Sequence, residues 1–179
     1  MPAYAALLRA INLGSRNKIA MPDLRRLFED GLGATDVATH VQSGNVVFRL
    51  AERSPAKVEA AIEKRIADGL GLDIKVLVRS KAQLEKVVTA SPFAATADVT
   101  KLHVTFLVDK PAADRVAAVD PSPFLPDEFA VVGREVHLHV PNGYGRTKLN
   151  NAFFEKKLAQ PATTRNWRTV TTLAEMTGG

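Results

Sequence analysis

Cysteine is missing from this sequence of 179 residues, and aromatic side chains are scarce, with one tryptophan and two tyrosines. Without cysteine the chain has no disulfide bond, thiolate nucleophile or zinc–thiolate site. No apolar run approaches the roughly 18 residues that span a bilayer, and the N-terminus lacks the layout of a signal peptide. These absences predict a cytoplasmic protein with no membrane partner.

Acidic residues are absent from the start of the chain, where the first carboxylate is that of Asp23. Residues 1–21 therefore carry a net charge of +3, and residues 136–174 carry +5, although the whole chain carries only +5. Six of the seven asparagines also lie in these two stretches. If the stretches meet in space, they form the basic, amide-rich surface that an anionic partner requires.

The composition, 46% apolar and 24% charged, is that of a soluble globular protein, and the length suits one domain or two small halves. The first half shows the order β-α-β-β-α-β of the ferredoxin-like, or split βαβ, unit. Its predicted elements are a strand over 3–8, a helix from Met21–Pro22, a hairpin over 36–49, a helix opened by Ser54-Pro55, a strand over 74–79, and a third helix begun by a capping box of Ser80 and Gln83.

The second half repeats β-α-β-β-α, beginning with a strand over 101–108. We predict a helix over 164–177 at the place where a fourth strand would follow. The predicted fold class is therefore α+β, with two tandem ferredoxin-like halves, antiparallel sheets and a C-terminal helix that ends the second half. We place the halves at 1–90 and 99–179, with a linker over 91–98.

The order of strands also predicts where the loops lie. We expect the first and third strands of each half to be adjacent and parallel, so that their outgoing loops share one end of the sheet. The loop after Leu8 would then lie near the chain after Phe48, and the loop after Val140 would lie beside Asp109. Packing of the halves would bring the two basic connections to one groove.

Two motifs in the basic C-terminal stretch point to an anion. Gly143–Lys148 precedes a helix and carries two cations, but it lacks the spacing of a P-loop and the third glycine of a dinucleotide fingerprint. It is either a phosphate contact or a tight turn. Thr163–Arg168 is predicted to form the first turn of the last helix, where cations are unfavourable unless an anion offsets them.

Catalytic residues are harder to find. Ser43 lies in a predicted hairpin turn and lacks the strand-turn-helix setting of a nucleophile elbow. His137 and His139 share one strand face but have no third ligand, so we predict no metal site. The basic stretches contain no pair of carboxylates for acid–base chemistry, and they lack the aromatics of an RNA-recognition sheet. Catalytic residues and cofactors therefore stay unassigned.

Several short motifs resemble the bacterial domain-of-unknown-function 1697 family, over nearly the whole chain. They are Ala6–Asn12, Met21–Leu24, Gln42–Phe48, Pro92-Phe93, Gly145–Leu149 and Thr163–Trp167. Departures from the family pattern occur where Ala10 and Ser15 replace glycine, His40 replaces tyrosine, Thr147 replaces serine and Thr172 replaces lysine. The resemblance implies an α+β protein with tandem ferredoxin-like halves, and it implies no reaction.

Charge, amides and motifs together favour binding of an anionic, phosphate-bearing small molecule or nucleic acid. The predicted ligand-binding residues come from both basic stretches and from the hairpin turn. They are Arg9, Asn12, Lys18, Ser43, Asn45, Arg146, Lys148, Arg165 and Asn166. Two alternatives stay open: an enzyme of transferase type acting on a phosphorylated substrate, and an assembly module that forms a homodimer without catalysis. The chain would be a monomer or a homodimer.

Overall fold

The computed structural model describes residues 1–13, 15–41, 44–95 and 97–179. These residues form two compact units: unit 1 is Met1–Glu85 with Thr172–Gly179, and unit 2 is Lys86–Thr171. Each unit contains helices and one four-stranded antiparallel sheet, named sheet 1 in unit 1 and sheet 2 in unit 2, which confirms the predicted α+β architecture of two ferredoxin-like halves. In the described part of the chain no helix has both the length and the apolar character needed to cross a bilayer.

Strands and helices of unit 1 occur in the predicted order. They are β1 (Ala3–Leu8), α1 (Met21–Arg26, continued by a π-helical turn over Leu27–Gly31), β2 (Thr35–His40), β3 (Asn45–Arg49), α2 (Pro55–Leu70), β4 (Val76–Ser80) and α3 (Lys81–Thr89), which runs on into unit 2. The strand order in the sheet is β2-β3-β1-β4. The predicted first strand is confirmed residue for residue, and all six of its side chains are buried. Ser54 caps α2 by accepting a hydrogen bond from the amide of Lys57, as its position predicted.

The main core of unit 1 lies between one face of the sheet and the helices. Alternate residues of β1, including Tyr4 and Leu8, point into it, because successive side chains of a strand face opposite sides. Phe28 from the π-helical turn packs edge-on against Phe48 of β3, with ring centroids 5.0 Å apart. Ile62 of α2 is also fully buried in this cluster.

Unit 2 repeats the arrangement with one strand more than predicted. Its elements are β5 (Leu102–Leu107), α4 (Ala113–Ala117), β6 (Glu128–Val132), β7 (Glu135–His139), α5 (Asn151–Leu158), β8 (Ala162–Asn166) and the start of α6 (Trp167–Gly178). The strand order, β6-β7-β5-β8, matches that of unit 1. The prediction of a helix from residue 164 was wrong at its beginning. The residues 162–166 are the missing fourth strand, and α6 begins only at Trp167.

The expected parallel pairing was also wrong. β1 is antiparallel to β3, and β5 is antiparallel to β7. The loop after Leu8 therefore lies beside the turn that precedes β3, where the Leu8 amide donates to the carbonyl of Gly44 at 2.8 Å. The chain after β7 lies beside the start of β5, where the Val140 amide donates to the carbonyl of Lys101 at 2.9 Å.

The two units share a pattern of hydrogen bonds at the ends of β1 and β5. The Leu107 amide donates to the carbonyl of Arg134, as that of Leu8 does to Gly44. The next amide in each unit donates to a residue just before the fourth strand, from Arg9 to Lys75 and from Val108 to Pro161. The units differ in the connection to the next helix, because residues 9–20 separate β1 from α1, whereas only residues 108–112 separate β5 from α4.

In each sheet a glutamate accepts a hydrogen bond from one amide of an edge strand. In unit 1 the Glu59 carboxylate, from α2, accepts from the Val78 amide of the edge strand β4 at 2.9 Å. In unit 2 the Glu155 carboxylate, from α5, accepts from the Ala162 amide of the edge strand β8 at 3.0 Å. Both sheets therefore have a helix side chain bonded to an amide of an edge strand.

Candidate functional sites at the ends of the two sheets

The described residues of the loop between β1 and α1, 9–13 and 15–20, are held by asparagine side chains and are here named the β1–α1 loop. The Asn12 Oδ1 accepts from the Ile19 amide at 2.8 Å, and its Nδ2 donates to the Ile19 carbonyl at 3.1 Å. The Asn12 amide donates to the Asn17 carbonyl, and the Asn17 Nδ2 donates to the carbonyl of Ala10. Asn12 therefore bonds to the backbone of Ile19 in the way that a neighbouring strand would.

The backbone of the β1–α1 loop is strained at three residues. Ala10, Asn12 and Asn17 have φ values of 56°, 53° and 49°, in the left-handed region. Asparagine tolerates this region, but alanine has no side-chain bond that offsets its cost, about 1 kcal/mol. The buried side chains of Ile11 and Ile19 fix the loop to the core of unit 1. The loop is thus anchored and internally bonded.

The outer surface of the β1–α1 loop is basic and partly apolar. Arg16 and Lys18 are exposed, and neither forms an ion pair with any residue that the structure describes. Leu13, which forms an isolated antiparallel bridge with Arg16, is 65% exposed. Sequence reasoning missed Leu13, because an isolated leucine in a loop gives no periodic pattern.

The hairpin turn next to the loop contributes less than predicted. Ser43 lies outside the described residues. Asn45 is fully buried in β3, and its Nδ2 donates to the carbonyl of His40 at 2.9 Å. Gly44 packs directly on the loop, because a Cβ built on it would lie 2.8 Å from the side chain of Ile11. Val41, on the other side of the turn, is 52% exposed.

At one end of sheet 2 the glycine-rich loop meets the start of β5. Tyr144 stacks on His103, with ring centroids 4.8 Å apart. The Thr147 hydroxyl donates to the Asp127 carboxylate at 2.7 Å and accepts from the amide of Leu149. These contacts fix the loop, and they leave Arg146 and Lys148 exposed.

The same end of sheet 2 contains a cavity of about 500 Å³, here named the α6 cavity. Its lining residues are Val99, Thr100, Asn166, Trp167, Arg168 and Thr171. The Asn166 Oδ1 caps α6 by accepting from the amide of Thr169 at 2.8 Å. Arg168 is exposed, and among the described residues it forms no ion pair. The cavity size lies within the range of small-ligand sites.

The position of the strand end decides which arginine reaches the cavity. Arg165 lies inside β8, is 8% exposed, and donates to the Thr163 hydroxyl at 2.6 Å and to the carbonyl of Thr164 at 3.0 Å. Burial lowers the pKa of Arg165 to about 10. Arg168 instead follows the strand and lines the cavity. A sequence-based prediction that ended the strand at Asn166 would have selected Arg168 as the ligand-binding arginine.

Burial also affects two histidines of unit 2. It lowers the pKa of His103 and that of His137, although the nearby Glu135 carboxylate partly raises the latter. Within the described ranges no group of three or more histidine, aspartate or glutamate side chains is placed to hold a metal ion.

Comparison with known proteins shows which family the chain belongs to. The family model described as "Protein of unknown function (DUF1697)" matches residues 1–137. The chain belongs to the DUF1697 family. A search of curated proteins finds no match for this DUF1697 protein.

The fold of the DUF1697 protein also occurs in a solved structure. The conserved bacterial protein SP0830 from Streptococcus pneumoniae is similar to it with a TM-score of 0.79 and 20% sequence identity, over 98% of each chain. At this identity the likeness shows the fold alone.

Within each unit of the DUF1697 protein the predicted site residues are grouped. Arg9, Asn12, Lys18 and Asn45 belong to the end of sheet 1 where β1 ends and β3 begins. The residues of the C-terminal stretch belong to the end of sheet 2 where β7 and β8 end and β5 begins; they are Arg146, Lys148, Arg165 and Asn166. A groove that joins the two groups stays a prediction.

Proposed function

We propose that this is a cytoplasmic protein that binds an anionic, phosphate-bearing ligand, and that the α6 cavity is the binding site in unit 2. The observation that carries the proposal is the lining of this cavity. Arg168 and Asn166 lie at one concave site with the only tryptophan of the chain. A guanidinium without a carboxylate partner in a concave site favours a phosphate, which it binds through parallel hydrogen bonds.

The surroundings of the cavity support a ligand with an anionic end and a less polar body. Trp167 and Val99 supply apolar lining, while Thr100 and Asn166 supply polar groups. The axis of α6 begins here, so its dipole adds positive potential. One carboxylate lies next to the lining: Asp98 accepts from the Thr100 hydroxyl at 2.7 Å, and that bond is the largest cause that lowers the pKa of Asp98. A ligand would therefore place its phosphate on the Arg168 side.

The other exposed cations at this end of sheet 2 extend the proposed site. Arg146 and Lys148 follow β7, beside the start of β5, and they increase the local positive potential although they are not among the lining residues. The remaining predicted residues, Arg9, Asn12, Lys18, Ser43, Asn45 and Arg165, stay part of the proposal on the grounds of charge segregation alone.

Calorimetric titration with inorganic phosphate and with a nucleoside monophosphate tests the proposal. We expect both to bind at low salt, and we expect Arg168→Ala to weaken binding at least about tenfold, because a charge-assisted bidentate contact is lost. Arg115→Ala is the matched control: it removes the same charge from an exposed helix, α4, of the same unit. Equal weakening by the two variants, or no binding of either ligand by the wild type, would refute the proposal.

A further inference from the structure

The β1–α1 loop presents an exposed leucine beside two exposed cations, on a backbone that is strained and internally bonded. Building on the proposed phosphate-bearing partner, we infer that this loop is a second contact, and that it binds a nucleic-acid strand. Leu13 packs against the bases, and Arg16 and Lys18 bind the phosphates next to them.

The loop is anchored in the core of unit 1 and exposes most of the described side chains between its anchors. Its two buried isoleucines, Ile11 and Ile19, anchor it, and Asn12 closes it between them. The left-handed φ of Ala10 costs free energy, and strain of this kind persists where the surroundings impose it for function. The equivalent connection in unit 2, residues 108–112, has no such extension. Unit 1 therefore has loop residues with no counterpart in unit 2.

Charge and area identify the partner. The loop carries the exposed Arg16 and Lys18 and no carboxylate of its own, which favours an anionic partner. Leu13, even with the exposed Val41 of the adjacent turn, offers far less apolar area than the roughly 800 Å² that each protein contributes to a stable interface. A single aliphatic side chain flanked by cations does match the wedge that leucine forms between bases while arginine and lysine neutralise phosphates.

Fluorescence anisotropy with a labelled 20-nucleotide strand, single or in a duplex, tests this inference. We expect binding at 20 mM salt that weakens as salt rises. The double variant Arg16→Ala/Lys18→Ala should lose at least about tenfold in affinity, and the slope of log K against log salt should fall by about 2, since two phosphate contacts disappear. Leu13→Ser should weaken binding without changing that slope.

The control must remove two positive charges elsewhere in unit 1. Arg25→Ala/Lys57→Ala does so on exposed helix positions, and we expect it to leave the salt slope within experimental error. Asn12→Ala, which opens the loop, should weaken binding as strongly as the loop double variant while thermal unfolding still shows a folded protein.

Three results would overturn the inference: no oligonucleotide binding at 20 mM salt, equal losses for both double variants, or binding to phosphatidylserine vesicles without binding to either oligonucleotide. Failure here and failure of the α6 cavity are separable. If Arg168→Ala loses phosphate binding and Arg16→Ala/Lys18→Ala has no effect on oligonucleotide binding, the α6 cavity proposal holds and the loop contact is refuted. If oligonucleotide binding depends on the loop and the protein does not bind free phosphate, the loop contact holds and the α6 cavity proposal is refuted.

Discussion

Arg79 and Arg165 occupy equivalent positions in the two units. Each is the fourth residue of the last strand of its sheet, paired with Ala5 of β1 and Val104 of β5, respectively. Each is buried, and each donates from Nη1 to the carbonyl of the preceding residue, at 3.1 Å for Arg79 and 3.0 Å for Arg165. The second basic stretch thus contains an arginine whose place is set by the repeated architecture.

Truncation of these arginines should destabilise the fold. We expect Arg79→Ala and Arg165→Ala each to lower the free energy of unfolding by about 3 kcal/mol, since each leaves a cavity and buried acceptors without their donor. Urea unfolding followed by circular dichroism measures the change. The exposed Arg146→Ala should change it by less than about 0.5 kcal/mol. Losses below about 1 kcal/mol for both buried positions would contradict this.

Gly44 should tolerate no side chain. Its φ is 90°, and an added Cβ would lie 2.8 Å from Ile11 and 2.9 Å from Leu8. Gly143 has nearly the same φ, 91°, with no atom within 4 Å of such a Cβ. We expect Gly143→Ala to cost about 1–2 kcal/mol from backbone strain alone, and Gly44→Ala to cost about 2 kcal/mol more from the clash. Equal losses in thermal or urea unfolding would show that the clash relaxes.

Acid should destabilise unit 2 through His137, which is buried, and His103, which is partly buried. Burial lowers the pKa of His103 and that of His137 below the ordinary value of 6.5. As the pH falls below 6.5, the unfolded chain binds protons that the folded chain does not, so the free energy of unfolding decreases. Urea unfolding between about pH 7.5 and 5 should show this slope, and it should be smaller in His103→Gln and in His137→Gln. An unchanged slope in both variants would refute the assignment.

Ser80 and Gln83 form a capping box at the start of α3, and their contributions to the free energy of unfolding should be coupled. The Ser80 amide donates to the Gln83 side chain at 2.8 Å, and the Gln83 amide donates to the Ser80 hydroxyl at 3.3 Å. Ser80→Ala should cost about 1 kcal/mol, and Gln83→Glu should cost nothing, because it keeps the acceptor and favours the helix dipole. In a double-mutant cycle measured by urea unfolding, Ser80→Ala and Gln83→Ala should cost less together than the sum of the single changes.

Local chemistry made much of this fold predictable. β1, the Ser54 cap and the Ser80–Gln83 box depend on side chains that act on their own neighbours, and all three were predicted correctly. β8 was missed because the buried face of that strand includes Thr163 and Arg165, which hides the alternation of apolar and polar residues. The pairing of the first and third strands was predicted wrongly. A helical crossover makes the first two strands parallel, so the hairpin that follows makes the third antiparallel to the first.

The candidate sites were predictable in region and less so in residue. Charge segregation selected both basic stretches, and the structure gives each a defined sheet end. Charge segregation could not separate Arg165 from Arg168, because that choice depends on where the strand ends and the helix begins. Nor could it assign Asn12 to closing the loop, because a distance of seven residues between Asn12 and Ile19 has no regular secondary-structure meaning.

Glu59 and Glu155 limit how this protein can polymerise. A fifth strand added at β4 or β8 would have to displace a carboxylate that already accepts an edge amide, and it would leave that charge beside its own carbonyls. Ordered growth of the sheets, whether a functional pairing of copies or an amyloid-like aggregate, is thereby disfavoured at β4 and β8. The two glutamates thus oppose self-association of the protein at these strands. We expect replacement of either glutamate to increase the turbidity of a stored solution.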